Sequence, residues 1–325
     1  MTEQTQFILS DERRPRPGQH PKHIPTTPEP YIAADELVTA VNLAIYLHRP
    51  LLLEGDAGCG KSRLARYVAY KLGLPLYEWA VSSTSRARDG LYVYDSILRL
   101  HDVHLRQFTG RSTETTEMPN ASPATTARQR DPEKSMDYVN FGALGKAFQC
   151  DCSAVVLIDE IDKADIDFPN DLLTVLDDPW KFKIHEAEEF EVKAVHPPIV
   201  IITSNEEKRN LPEPFLRRCV YFYIEFPADS QRLKEIVDAH YVLRNVEPPA
   251  TDLIEGACDR FLKVRKEELH KKPGTSEFLD WLEALRGFRD LTGVVESLGL
   301  DGARLPYPEL LFKIREDWRR HAATP

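Results

Sequence analysis

Gly55-Asp-Ala-Gly-Cys-Gly-Lys61-Ser62, directly after the apolar run Leu51-Leu52-Leu53, decides the fold. It matches G-x-x-x-x-G-K-[ST], the phosphate-cradling loop, in the setting that pattern needs: a buried strand before and a helix after. The run 51–53 supplies the strand. Residues 61–72 supply the helix, with Leu64, Ala65, Val68, Ala69 and Leu72 on one face at 3.6-residue spacing. The glycines let backbone N–H groups turn inward around a polyphosphate, where a Cβ would block the approach. The helix N-terminus adds unpaired N–H groups and partial positive charge. Lys61 is placed to reach the β- and γ-phosphates, and the Ser62 hydroxyl to coordinate magnesium. The stretch Gly55, Asp56, Ala57, Gly58, Cys59, Gly60, Lys61 and Ser62 therefore points to a nucleoside triphosphate with Mg2+.

The other strands read from continuous apolar runs. Residues 154–158, 199–203 and 220–226 lack alternation, as strands buried on both faces do, and 74–81 is a further strand. With helices between them, these make a parallel α/β sheet sandwiched by helices. Beyond Pro227 the pattern turns to helices alone, at about 230–243, 251–269, 276–289 and 308–320. A boundary near Pro227 thus divides a nucleotide-binding core, 31–227, from a smaller all-helical domain, 228–325. Residues 1–30, broken by Pro15, Pro17, Pro21, Pro25, Pro28 and Pro30, read as a flexible arm. The segment 89–106 is apolar enough to pack, whereas 109–135 reads as a disordered loop rich in threonine, proline and charge.

At 325 residues core size is not limiting, and the net charge of -10 without a long basic run makes nucleic acid an unlikely main partner. The five cysteines (59, 150, 152, 219 and 258) lack disulfide-framework spacing, and no stretch has the apolar length of a membrane span. The expected setting is the cytoplasm, with reduced thiols. Cys150-x-Cys152 and His101-x-x-His104 lack a partner pair at metal-site spacing. Cys59 sits at a helix N-terminus, where a thiol pKa tends to fall.

Val155-Val-Leu-Ile-Asp159-Glu160 is a strand ending in two carboxylates at the carboxyl edge of the sheet, where ligands bind. Asp159 suits the magnesium position and Glu160 a base that polarises the attacking water; alternation sends the two side chains in different directions. Ile199-Val-Ile-Ile-Thr-Ser-Asn205 ends in an amide able to hydrogen-bond that water or the γ-phosphate. Arg217 and Arg218 offer fixed donors for phosphoryl oxygens.

In this combination the chain resembles the AAA+ ATPases, and within them the MoxR family, a member of the helix-2-insert clade. The matching segments are Tyr31-Ile-Ala-Ala-Asp-Glu-Leu, Arg49-Pro-Leu-Leu-Leu-Glu-Gly, Asp89-Gly-Leu-Tyr-Val-Tyr-Asp95, Leu157-Ile-Asp-Glu-Ile-Asp-Lys-Ala-Asp165 with Phe168-Pro-Asn-Asp171, Thr203-Ser-Asn205 and Phe215-Leu-Arg-Arg-Cys219. The resemblance implies that residues 55–62 are Walker A, Asp159 and Glu160 Walker B, and Asn205 sensor 1. It makes Arg217 and Arg218 arginine fingers for a neighbouring subunit's ATP, and puts Tyr31 and Ile32 near the adenine. Residues 89–106 fit the helix-2 insert, and 181–193 a pre-sensor hairpin. It further implies a hexameric ring that remodels or matures a partner protein, chaperone-like, with a von Willebrand factor A domain adaptor. One departure stands out. The lid stretch Gly274-Thr-Ser-Glu-Phe-Leu-Asp280-Trp281 lacks the sensor 2 arginine, so either Arg286, Lys271 or Lys272 substitutes or γ-phosphate sensing runs through the neighbouring subunit alone. The same gap gives weight to an alternative, an ATP-dependent assembly switch with little hydrolysis.

Overall fold

The computed structural model describes residues 23–108, 130–205, 211–287, 298 and 305–322. The chain enters through helix α1 (Asp35–Leu47), strand β1 (Leu51–Gly55), helix α2 (Lys61–Leu72) and strand β2 (Leu76–Ala80). An excursion follows, with β3 (Tyr92–Tyr94), α3 (Ser96–Phe108) and β4 (Val139–Phe141), before α4 (Ala143–Phe148) returns the chain to β5 (Val155–Asp159). Helix α5 (Phe168–Leu176) leads to β6 (Lys181–Ile184) and β7 (Phe190–Lys193), then β8 (Ile199–Thr203), the short α6 (Glu213–Leu216) and β9 (Val220–Ile224).

Five strands form one parallel sheet in the order β2-β5-β8-β1-β9. Alternation along the apolar stretches of the central strands divides their side chains between two cores. Leu52, Val156, Ile158, Val200 and Ile202 join α4 and α5 on one face. Leu51, Leu53, Val155, Leu157 and Ile201 join α1 and α2 on the other. That division is why residues 51–53, 155–158 and 199–202 lack polar positions: both faces of β1, β5 and β8 are covered. Two antiparallel ribbons, β3 with β4 and β6 with β7, stand apart from the sheet.

The segment 89–106 packs as expected at Leu91 and Tyr92, which are buried in the core, but not along α3. In α3, Ile97, Leu100 and Leu105 are exposed. Polar contacts hold the helix instead: the Asp102 carboxylate accepts from Tyr138 Oη at 2.9 Å and Arg130 Nε at 3.1 Å, and Arg99 donates to the Pro132 carbonyl and Tyr94 Oη. The loop expected at 109–135 falls outside the described residues as far as 129, and 130–135 are described beside Asp102 and Asp137. The arm expected at 1–30 falls outside them as far as 22.

Beyond β9 the described chain is helical: α7 (Ser230–Arg244), α8 (Thr251–Lys266), α9 (Thr275–Gly287), α10 (Pro308–Leu311) and α11 (Arg315–Ala322). They share a third core centred on Phe261, Phe278 and Trp281. The single helix expected at 308–320 is broken in two. Phe312 turns extended (φ -101°, ψ 121°) so that its buried ring can stack on His321, with centroids 4.3 Å apart. Helix α8 stops three residues short of Leu269, and the loop after it is pinned by the fully buried Asp317, which accepts from the amides of His270 and Lys271.

Candidate active site

All five parallel strands point their carboxyl ends toward a cleft of about 800 Å³ between the sheet and the C-terminal helices. The loop after β1 builds its floor. Gly55, Gly58 and Gly60 all have positive φ (148°, 77° and 93°), and a Cβ on Gly55 would lie 2.4 Å from the Ile224 carbonyl oxygen. Lys61, buried at the start of α2, donates from Nζ to the carbonyls of Gly55 and Asp56, each at 2.8 Å. Its neighbour Ser62 donates from Oγ to Asp159 Oδ1 at 2.6 Å.

Thr203, the last residue of β8 and 1% exposed, ties the two carboxylates together. Its Oγ1 donates to Asp159 Oδ1 at 2.6 Å and accepts from the Glu160 amide at 2.8 Å. Glu160 lies in the left-handed region (φ 59°), which carries its side chain away from that of Asp159, and pairs with Lys163. The Lys163 pKa is raised chiefly by that hydrogen bond. Asn205 follows one residue beyond the buried Ser204, and its amide donates to Oδ1 of the buried Asp162 at 3.0 Å. Among the described residues, Asp162 Oδ2 and Ser204 Oγ have no hydrogen-bond partner.

The cleft brings together Tyr31, Ile32, Ala57, Gly58, Cys59, Gly60, Lys61, Ser62, Asp159, Glu160 and Asn205, while Gly55 and Asp56 do not line it and meet Lys61 through their carbonyls. The Tyr31 ring packs across Gly60 and meets Tyr67 at 5.6 Å, and burial pushes its hydroxyl pKa upward. Arg217 and Arg218 do not line the cleft of their own chain. Arg217 pairs with Glu213 and is 75% exposed; Arg218 lies 3.0 Å from Asp177 and is 49% exposed, so both are presented outward.

Two expectations are corrected. The Cys59 thiol is pushed up, not down, because burial outweighs the pull of Lys61 and the helix start. Arg286 instead stands 3.7 Å from Glu283 and over the Tyr241 ring, and neither it nor Lys271 nor Lys272 lines the cleft. The lid supplies other arginines. Arg232 of α7 lines the cleft and donates to the Ile32 carbonyl at 3.0 Å. Arg265 of α8 donates to Asp56 Oδ2 at 2.9 Å. At the start of α9, Thr275 and Ser276 occupy the cleft wall, and the Thr275 amide donates to the Gly58 carbonyl at 3.2 Å. Sequence patterning missed Arg265 because it sits in the basic run Lys263–Lys266, which reads as an ordinary helix C-terminus.

The oxygen donors of Ser62 and Asp159 fit a hard cation such as magnesium, which keeps several waters and takes few protein ligands. Elsewhere, among the described residues, no group of three or more His, Cys, Asp or Glu side chains could hold a metal ion. Cys150 Sγ and Cys152 Sγ lie 3.3 Å apart.

A family model described as "AAA domain (dynein-related subfamily)" matches residues 50–219. Two curated relatives match shorter stretches. "Protein CbbQ" of Hydrogenophilus thermoluteolus is 47% identical over 47 residues, 14% of this chain and 18% of that protein. "Protein CbbQ" of Allochromatium vinosum is 45% identical over 49 residues, 15% of this chain and 66% of that protein. With its family match covering the loop, both carboxylates, Asn205 and both outward arginines, the chain belongs to the dynein-related AAA domain family, as a MoxR-type AAA+ protein.

Proposed function

We propose that this protein is a magnesium-dependent ATPase that works as a ring, probed best through the residues its own cleft lacks. The observation that carries the reading is the Ser62–Asp159–Thr203–Glu160 chain of hydrogen bonds at the foot of the phosphate loop. Lys61 and the loop amides hold the polyphosphate, Asn205 orients the attacking water, and Glu160 accepts its proton once released from Lys163. Magnesium, bound through Ser62 and Asp159, supplies charge neutralisation at the phosphates. Arg217 and Arg218, outward-facing and ion-paired with the exposed Glu213 and Asp177, complete the site of the next subunit in a head-to-tail ring, six being the number expected from the resemblance.

The core at 31–227 and the lid at 228–325 are the moving parts of this reading, with the arm at 1–30 outside them. We assign the ring a chaperone-like role, remodelling or maturing a partner protein in the cytoplasm with a von Willebrand factor A domain adaptor. No helix among the described residues is long and apolar enough to cross a membrane. A second reading, an assembly switch with little hydrolysis, is favoured by Thr275 and Ser276 where a sensor 2 arginine is expected.

Magnesium-ATP turnover across a wide range of protein concentrations decides between them. Specific activity that climbs with concentration, and falls at least about 100-fold in Arg217→Ala or Arg218→Ala, is the expected result for a finger supplied in trans. Glu160→Gln is expected to bind ATP and assemble without turnover. Flat, near-zero turnover with intact ATP binding would establish the switch instead.

A further inference from the structure

The lid meets the phosphate loop through the Thr275 amide on the Gly58 carbonyl and through an arginine that the cleft chemistry leaves unused. Arg265 is buried, its side chain 9% exposed, at the end of α8. One arm of its guanidinium donates to Asp56 Oδ2 at 2.9 Å and the other to the Pro273 carbonyl, while its plane lies 3.5 Å from the Phe226 ring centroid. All three contacts use what is specific to arginine: a planar fork that can stack while bonding on two edges. Pro273 immediately precedes Gly274, which abuts the loop so closely that a Cβ there would lie 2.6 Å from the Ala57 carbonyl oxygen.

Asp56 is the joint. Its carboxylate holds Arg265 of the lid, and its backbone carbonyl holds Lys61 Nζ at 2.8 Å. The same residue therefore touches both the cation that faces phosphate and the cation that fixes the lid. An acidic side chain in a loop built to receive a polyanion is an electrostatic cost that a cation offsets; Asp56 is 40% exposed, so solvent screens part of that charge and Arg265 neutralises it from the lid side. Burial lowers the Arg265 pKa, and the hydrogen bond and charge of Asp56 oppose that shift.

We infer that Arg265 is a positioning residue for nucleotide: it neutralises Asp56, keeping the phosphate loop receptive to a polyanion, and in doing so latches the lid at Pro273–Gly274 over that loop. The inference rests on the cleft binding ATP, and deepens that reading without using a cation on the γ-phosphate. It differs from a packing role in one respect. If Arg265 acts through the Asp56 charge, removing that charge removes the need for it.

The test is a double-mutant cycle on the full chain, read by Mg2+-dependent affinity for a fluorescent ATP analogue and by amide hydrogen exchange of residues 274–279 without nucleotide. Arg265→Ala is expected to weaken nucleotide binding about ten-fold beside Asp56, and less than about three-fold beside Asp56→Asn, as for partners coupled through a buried charge. Arg265→Lys, keeping the charge without the fork, is expected to lie between. Asp56→Asn alone leaves the lid core intact and is expected to speed exchange at 274–279. Equal loss of affinity in both Asp56 backgrounds, or unchanged exchange in Asp56→Asn, overturns the inference. Wild-type protein that binds no nucleotide would refute the ATP reading, and the exchange result would still judge the latch.

Discussion

Thr203 shows how much a single hydroxyl organises at the residue scale. It accepts from the Glu160 amide and donates to Asp159, so the two carboxylates are held in different directions by one atom on the neighbouring strand. Thr203→Val keeps the β-branched shape and removes both bonds. The Glu160 amide then loses its partner, at a cost of about 1–3 kcal/mol. The expected outcome is ATP turnover reduced by at least about ten-fold with ATP affinity nearly unchanged, since misplacing a catalytic group acts on the chemical step. Thr203→Ser should recover most of the rate; equal loss in both variants would mean the methyl, not the hydroxyl, matters. Lys61, Ser62, Asp159, Glu160 and Asn205 were legible in the sequence because each stands at a fixed offset from an apolar strand. The roles of Thr203 and Arg265 were not, because they depend on strand register and on lid docking. Cys59 was misread for a related reason: the helix-terminus rule takes no account of burial, which dominates there.

Elements were legible where burial is two-sided and harder where it is not. The runs in β1, β5 and β8 identify themselves, since three or four consecutive positions in each are apolar and buried. Helix α3 misleads because it carries apolar residues that remain exposed and is held by polar contacts to Tyr94 of β3 and to Tyr138 just before β4. The joint between this excursion and the core is Gly145 in α4. A Cβ there would lie 2.0 Å from the Leu91 carbonyl oxygen, a backbone atom that cannot swing aside. Glycine to alanine inside a helix ordinarily stabilises by roughly 1 kcal/mol. Here the sign is reversed: Gly145→Ala must push α4 away from the excursion, and a destabilisation of about 1–3 kcal/mol is expected from overpacking. Urea unfolding is the measurement. A midpoint at or above the wild type would mean that the backbone at Leu91 yields without cost.

For the whole molecule, acid stability follows from two histidines that folding holds against protonation. His240 lines the cleft and His321 closes the lid, and burial lowers both pKa values from their ordinary 6.5. Around His240, Arg244 and Arg63 reinforce the shift while Glu283 and Asp280 oppose it; around His321, Arg260 and Arg320 reinforce it while Glu267 and Asp317 oppose it. The unfolded chain therefore binds more protons than the native one once pH falls through about 6.5, and stability is lost from there down to the lowered folded value. Above pH 6.5 these two groups contribute no slope. His321 is the cleaner probe, because its ring stacks on Phe312 and its Nε2 makes no hydrogen bond among the described residues although Glu267 stands 3.3 Å away. His321→Phe keeps an aromatic ring against Phe312 and removes the proton site. Denaturation midpoints at pH 8, 6.5 and 5.5 are expected to fall less steeply for this variant than for the wild type, with the difference confined to the interval below 6.5. Parallel pH profiles would show that native His321 binds its proton as readily as the unfolded chain, and that Glu267 compensates fully for its burial.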